Sequence, residues 1–189
     1  MIMQNYPNFS FQTFYVSKEI CRCPQISEIS RVYKRLGNLD LLRDIFEFSA
    51  SLKYGKRMII NAKNSNLSET KGEDFLEIVD YDPLKKVLLV MGVKEPRIET
   101  SVHWIIHHAR EEVKAIIQIL SKELVVKLDN KIPFTEKEYP VGTLEQAKEI
   151  LIKLRNSNKA VIKNQGIIFV GNSMNEVEDS MVKTFEELK

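Results

Sequence analysis

Cysteine, glycine, proline and histidine are all scarce: two, seven, six and three residues in a chain of 189. Cys21 and Cys23 lie two apart beside Pro24. One such pair gives no disulfide framework, and zinc would need further thiolates or imidazoles that the neighbourhood lacks, so they read as reduced thiols near a turn. Few Gly and Pro, with no repeat or long biased tract, exclude a linker-rich or low-complexity chain and leave disorder to the ends. No GxGxxG, phosphate loop or GxSxG elbow occurs. Long apolar runs are missing too: stretches such as Val87 to Met91 are far short of a membrane span. The first 17 residues carry no charge, but Gln4, Asn5, Asn8, Ser10 and Gln12 interrupt them. No targeting segment is read there, and a cytoplasmic location is expected. An excess of one charge is also lacking, since 28 Lys and Arg stand against 26 Asp and Glu, mixed along the chain. That argues against a nucleic-acid partner.

What is present is 43% hydrophobic and 29% charged residues, the balance of a soluble domain with one sizeable core over residues 1–189. Phe9, Phe11, Tyr15 and Val16 look extended. Ile26 to Phe48 reads as helical, divided by Gly37. Met58 to Ile60 is a buried-strand run followed by a polar loop to Ser68. Phe75 to Asp80 and Leu84 to Met91 read as a hairpin turning at Tyr81-Asp82-Pro83. Thr100 to Arg110 is helical, with Val102, Ile105, Ile106 and Ala109 on one face and Glu99, His103 and His107 in a parallel row. Val113 to Leu120 is a buried strand. Thr143 to Gln146 matches a capping box that opens a helix ending near Asn156. Ala160 to Lys163 and Ile167 to Val170 flank the tight turn Asn164-Gln165-Gly166, and a last acidic helix begins near Asn175. Such interleaving predicts a mixed sheet covered by helices.

All three histidines, His103, His107 and His108, fall in one helix. His103 and His107 are one turn apart and could share a metal with Glu99, but the motif of a zinc protease is not there, and a polar row beside an apolar stripe is more often a solvated or helix-packing face. Lys153, Arg155, Lys159 and Lys163 are balanced by Glu145 and Glu149 and read as a solvated face.

Three blocks nonetheless resemble the class II aldolase/adducin family. Arg57 to Ser68 with Glu73 to Asp80 looks like its strand, phosphate loop and following strand. Glu99 to Arg110, continuing to Gln118, runs without a gap against its glutamate-histidine helix and next strand. Tyr139 to Ala147 and Ala160 to Gly171 look like its last two blocks. The match spans about Arg57 to Glu178, leaving residues 1–56 as a divergent, helical N-terminal part. The resemblance implies a three-layer α/β/α domain with a mixed, largely antiparallel central sheet, assembled as a homo-oligomer, commonly a tetramer. In active members three histidines hold a divalent metal, usually zinc, that polarises a sugar-phosphate carbonyl. A glutamate moves the proton.

Glu99 stands at that glutamate's position and is the expected catalytic residue. The metal-ligand histidines fall on Gln118, Leu120 and Gln165, degenerate positions that predict no metal cofactor: leucine has no lone pair, and a neutral amide is a poor zinc ligand. The phosphate loop reads Asn61, Ala62, Lys63, Asn64, and a serine pair has become Arg97-Ile98. Asn61, Lys63, Asn64 and Arg97 are therefore the candidate substrate-binding residues, in a polar, locally cationic cleft suited to a small anion. An upstream Gly-Asn turn of the family falls in register on Phe48 to Ser51, whereas Gly37 to Asp40 resembles it in letters. The chain ends soon after the last block, which implies a shortened C-terminal helical part. The expectation is a metal-free protein without aldol cleavage, serving anion binding or assembly; the alternative is an aldolase or epimerase using Glu99 with a relocated or absent metal.

Overall fold

The computed structural model describes residues 10–37, 47–69, 71–128 and 132–187. Its strands are β1 (Gln12–Ser17), β2 (Glu47–Tyr54), β3 (Arg57–Asn61), β4 (Phe75–Asp82), β5 (Val87–Met91), β6 (Ala115–Leu120), β7 (Lys159–Ile162) and β8 (Gly166–Gly171). Its helices are α1 (Ile26–Gly37), α2 (Thr100–Ala109), α3 (Lys122–Lys127), α4 (Leu144–Leu154) and α5 (Met174–Glu186).

The strands form one sheet in the order β1-β5-β4-β3-β2-β6-β8-β7. Every neighbouring pair is antiparallel except β1 beside β5. Buried residues of α1, α3 and α5 pack on one face of the sheet. Those of α2 and α4 pack on the other. Met58, Ile60, Leu76, Ile78 and Val90 extend that second core beneath Trp104. The expected three-layer α/β/α arrangement with a mixed, mostly antiparallel sheet is present.

Side-chain period decides which face each residue serves. In β2, Phe48, Ala50 and Leu52 enter the core under α1 and α5, while Ser49, Ser51 and Lys53 reach toward α2. Helix α4 starts as the capping pattern requires: Thr143 Oγ1 accepts from Gln146 N at 3.2 Å. The return bond reaches one residue further than a capping box, with Gly142 N donating to Gln146 Oε1 at 2.8 Å.

Some expectations shift. Of the helical reading of Ile26 to Phe48, α1 covers Ile26–Gly37, residues 38–46 lie outside the described residues, and Phe48 lies in β2. The described part of the first 56 residues thus contains two strands as well as a helix. Residues 38–40 of the Gly37 to Asp40 look-alike lie outside the described residues. The β4–β5 turn falls at residues 83–86, after Asp82, because both strands continue their ladder to the Asp82–Val87 pair. Helix α3, capped by Ser121, has too short a pattern to be foreseen.

Gly166 marks a close approach of β8 to β6, where it pairs with Leu120. A Cβ there would lie 1.9 Å from the Ile119 carbonyl oxygen. Backbone cannot yield as a side chain does, so Gly166→Ala is expected to cost about 1–3 kcal/mol. Urea unfolding measures it; a midpoint indistinguishable from wild type would contradict the packing of β6 on β8.

Candidate functional site

The site lies beyond the ends of β2 and β3, where their ladder stops at the Ser51–Ile60 pair. Asn61 continues the contact with its side chain, accepting from Ala50 N at 2.7 Å and donating to Phe48 O at 3.1 Å. It is 1% exposed. The loop after it is held from below: Ser65 Oγ donates to Ala62 O and to Asp74 O, Asn66 N donates to the Asp74 carboxylate, and Lys94 closes an ion pair with buried Asp74 at 2.5 Å. Lys63 pairs with Glu95 at 3.4 Å at the surface. Asn64 adopts φ 55°, a left-handed turn conformation that asparagine tolerates.

Above this loop, the segment before α2 contributes Arg97 and Glu99. Glu99 is buried, 1% exposed, at the helix N-terminus. Its carboxylate accepts from Arg97 at 3.2 Å, and the same guanidinium meets Glu47 at 3.1 Å. A buried carboxylate is costly unless paired, and the helix N-terminus adds a favourable dipole. Two adjoining cavities result. One, about 320 Å³, is lined by Tyr33, Asn61, Lys63, Asn64, Ser65 and Arg97 among others. The second, about 550 Å³, shares Glu47, Lys63 and Arg97 with it and reaches Glu99. The four candidate substrate-binding residues therefore meet around one cavity. Tyr33, Glu47 and Asp74 are participants that the sequence reading missed.

Helix α2 is fastened to the sheet by a buried polar seam. His107 Nδ1 lies 3.0 Å from Val113 O, so that nitrogen carries the proton and Nε2 accepts from Ser51 Oγ at 2.9 Å. Ser51 Oγ in turn accepts from His103 Nδ1 at 2.8 Å, leaving His103 Nε2 to accept from Ser49 Oγ at 3.2 Å. With both rings neutral, this direction of the chain satisfies all four ring nitrogens. Burial, before any neighbouring charge, pushes His103 down to about 3 and His107 to about 4. The row is thus a helix-packing face and not a solvated one. It does not fit a relocated metal either: each histidine nitrogen is engaged, and Glu99 is committed to Arg97.

The family described as the class II aldolase and adducin N-terminal domain matches residues 27–127, more than half of the sequence. The chain belongs to that family. No curated protein matches the sequence. Among solved structures, an L-fuculose 1-phosphate aldolase is similar with a TM-score of 0.69 at 17% identity, over 89% of this chain and 86% of that one. The N-terminal class II aldolase domain of a conserved protein from Thermoplasma acidophilum gives 0.63 at 16%, over 92% and 96%. A sugar-phosphate aldolase from Thermotoga maritima gives 0.60 at 18%, over 87% and 93%. At these identities the likeness is one of fold. The family match starts inside α1, upstream of the blocks visible by eye.

In this class II aldolase/adducin domain, the three positions that the resemblance assigns to metal ligands do not offer a zinc site. Leu120 has no donor. Gln165 is tied at both ends, accepting from Gln146 and donating to Tyr139 O, so it tethers the loop before α4. Gln118 is fully buried beside His103, and its amide makes no aligned hydrogen bond. Among the described residues, no three His, Cys, Asp or Glu side chains are grouped to hold a metal ion.

The histidine seam carries a pH signature. In the unfolded chain both rings titrate near 6.5, whereas in the fold they stay neutral far below it. As pH falls through about 6.5 the unfolded state gains protons that the native state refuses. Stability is therefore complete above that pH and declines toward the folded values, by up to about 1.4 kcal/mol per pH unit for each histidine. Urea midpoints between about pH 7 and pH 5, where most carboxylates are still ionised, are expected to fall. A flat profile would contradict the seam.

Proposed function

We propose that this protein is a class II aldolase/adducin domain that binds a small phosphate-like anion without a metal and without the family's aldol cleavage. The observation that carries this reading is the smaller cavity. It is lined by the cations Lys63 and Arg97, whose ion pairs with Glu95, Glu47 and Glu99 an incoming anion would have to share, with the Asn64 and Ser65 side chains beside them. Charge-assisted hydrogen bonds to such an anion are about twice as strong as neutral ones, and Arg97 offers a planar fork that suits phosphate. The amide and leucine at the ligand positions support binding without a metal. The same reading takes the protein as a cytoplasmic homo-oligomer, a tetramer by analogy with its family; no helix among the described residues is long and apolar enough to cross a membrane.

A second reading keeps catalysis. Glu99 faces the larger cavity with Arg97 beside it, an arrangement in which the carboxylate moves a proton while the guanidinium stabilises a developing oxyanion. Two of the similar structures are named as sugar-phosphate aldolases, which makes a sugar phosphate the first substrate to try.

Metal analysis of natively purified protein, before and after zinc supplementation, together with a retro-aldol assay on L-fuculose 1-phosphate, separates the readings. The expected result is no stoichiometric metal and no turnover. Stoichiometric zinc with turnover would overturn the proposal. Metal-independent turnover that Glu99→Gln lowers at least 100-fold would establish the second reading instead.

A further inference from the structure

We propose that β1 is a pairing surface for a second copy of this chain: two β1 strands meet antiparallel across a two-fold axis and join two sheets into one. The contact depends neither on the anion site nor on a tetramer, and it stands if either of those readings fails.

The sheet ends in β7 on one side and β1 on the other. Among the described residues only the second edge is open. At β7 the loop before α4 closes the edge: Thr135 N donates to Val161 O at 3.0 Å, and Val161 N donates to Pro133 O at 2.8 Å. Phe134 sits between them in a parallel bridge to Val161. β1 has β5 on its inner side and no strand on its outer side. Gln12 N donates inward to Lys86 O at 2.8 Å. Backbone groups alternate in direction along a strand, so Thr13 and Tyr15 turn their N–H and C=O groups outward.

Proteins normally protect such an edge with charge, proline or a covering element. β1 has neither charge nor proline, and no charged side chain occurs in residues 1–17 of a chain that is 29% charged. Thr13 and Tyr15 face the larger cavity, so the alternating residues Phe14 and Val16 stand on the opposite face of the sheet. They are 48% and 59% exposed.

These features choose the occupant. An uncharged edge flanked by exposed apolar side chains is complementary to an uncharged, apolar strand, and β1 is itself such a strand. Because β7 is closed, β1 of one copy meets β1 of the other. The contact is therefore isologous and does not propagate into a filament. Parity then fixes the register. Setting the outward groups of Thr13 and Tyr15 against their counterparts places Thr13 opposite the partner's Tyr15 as a hydrogen-bonded pair. Phe14 falls opposite the partner's Phe14 on the axis, a cross-strand aromatic pair. Ser17 does not extend this ladder, because β1 bulges after Tyr15 and Ser17 O accepts from Gly92 N at 3.1 Å.

Disulfide trapping in the full chain tests the register. Cα atoms of a non-hydrogen-bonded antiparallel pair lie about 4.5 Å apart, within disulfide reach, whereas the two Gln12 positions would be more than about 13 Å apart. Phe14→Cys treated with oxidised glutathione is expected to give a dimer linked between the substituted positions, read by peptide mass mapping. Wild type and Gln12→Cys are expected to give none. Phe14→Lys, which sets two ammonium groups opposite each other, is expected to weaken self-association about tenfold in sedimentation equilibrium. Folded Phe14→Cys that fails to link, as it would if residues 1–9 or another protein covered the edge, would overturn the proposal. Equal linking in Gln12→Cys, or self-association that Phe14→Lys leaves unchanged, would also overturn it.

Discussion

Helix α2 has to bury a row of polar side chains against the sheet, and everything at the site depends on how that row is satisfied. One helical turn, from His103 to His107, advances about 6 Å. Two residues of a strand, from Ser49 to Ser51 or from Ser51 to Lys53, advance about 6.8 Å. The near match lets each step of the helix meet the next inward residue of β2. His103 bridges Ser49 and Ser51, His107 takes Ser51, and Lys53 Nζ donates to the His107 carbonyl at 2.7 Å. A seam of neutral donors and acceptors is stable in a dry interface only when complete. Its completeness fixes both the rotation and the height of α2 on the sheet.

That placement sets what happens at the helix N-terminus. Glu99 is carried one turn before His103 into the mouth of the cleft, where its carboxylate is 2% exposed. Arg97, itself 13% exposed, is the cation that makes this burial tolerable. Its guanidinium also spans to Glu47 on β2, so it lines both cavities and stands where the proposed anion would be read. The positions that the resemblance assigns to metal ligands do structural work here: Gln165 holds the loop that leads into α4, and Leu120 pairs with Gly166 at the end of the β6–β8 ladder.

Much of this was legible in the sequence, and the misses have physical causes. Runs such as Met58 to Ile60 and Ile167 to Val170, buried on both faces, announce central strands without ambiguity. The Glu99, His103, His107 row was visible, but its burial was not, because the partners that desolvate it lie more than fifty residues upstream. β2 did carry a period of two, Phe48, Ala50 and Leu52 against Ser49, Ser51 and Lys53. Extending the helical reading as far as Phe48 hid the first residue of that alternation. Arg97 was recognisable as a cation near the loop; its role as the partner of Glu99 required the chain to fold. That Thr13 and Tyr15 of β1 line the larger cavity was not legible in the letters alone, since β1 reaches the site by pairing with β5, which follows it by some seventy residues.

The central claim is that Arg97 confers anion binding without a metal. Titrating inorganic phosphate by calorimetry into chelator-treated protein, wild type and Arg97→Gln side by side at fixed ionic strength, tests it most directly. The account predicts saturable binding by the metal-stripped wild type and a loss of about tenfold or more in Arg97→Gln, as removal of a charged hydrogen-bond donor implies. Binding that appears only after zinc is restored, or that is unchanged in Arg97→Gln, would contradict it.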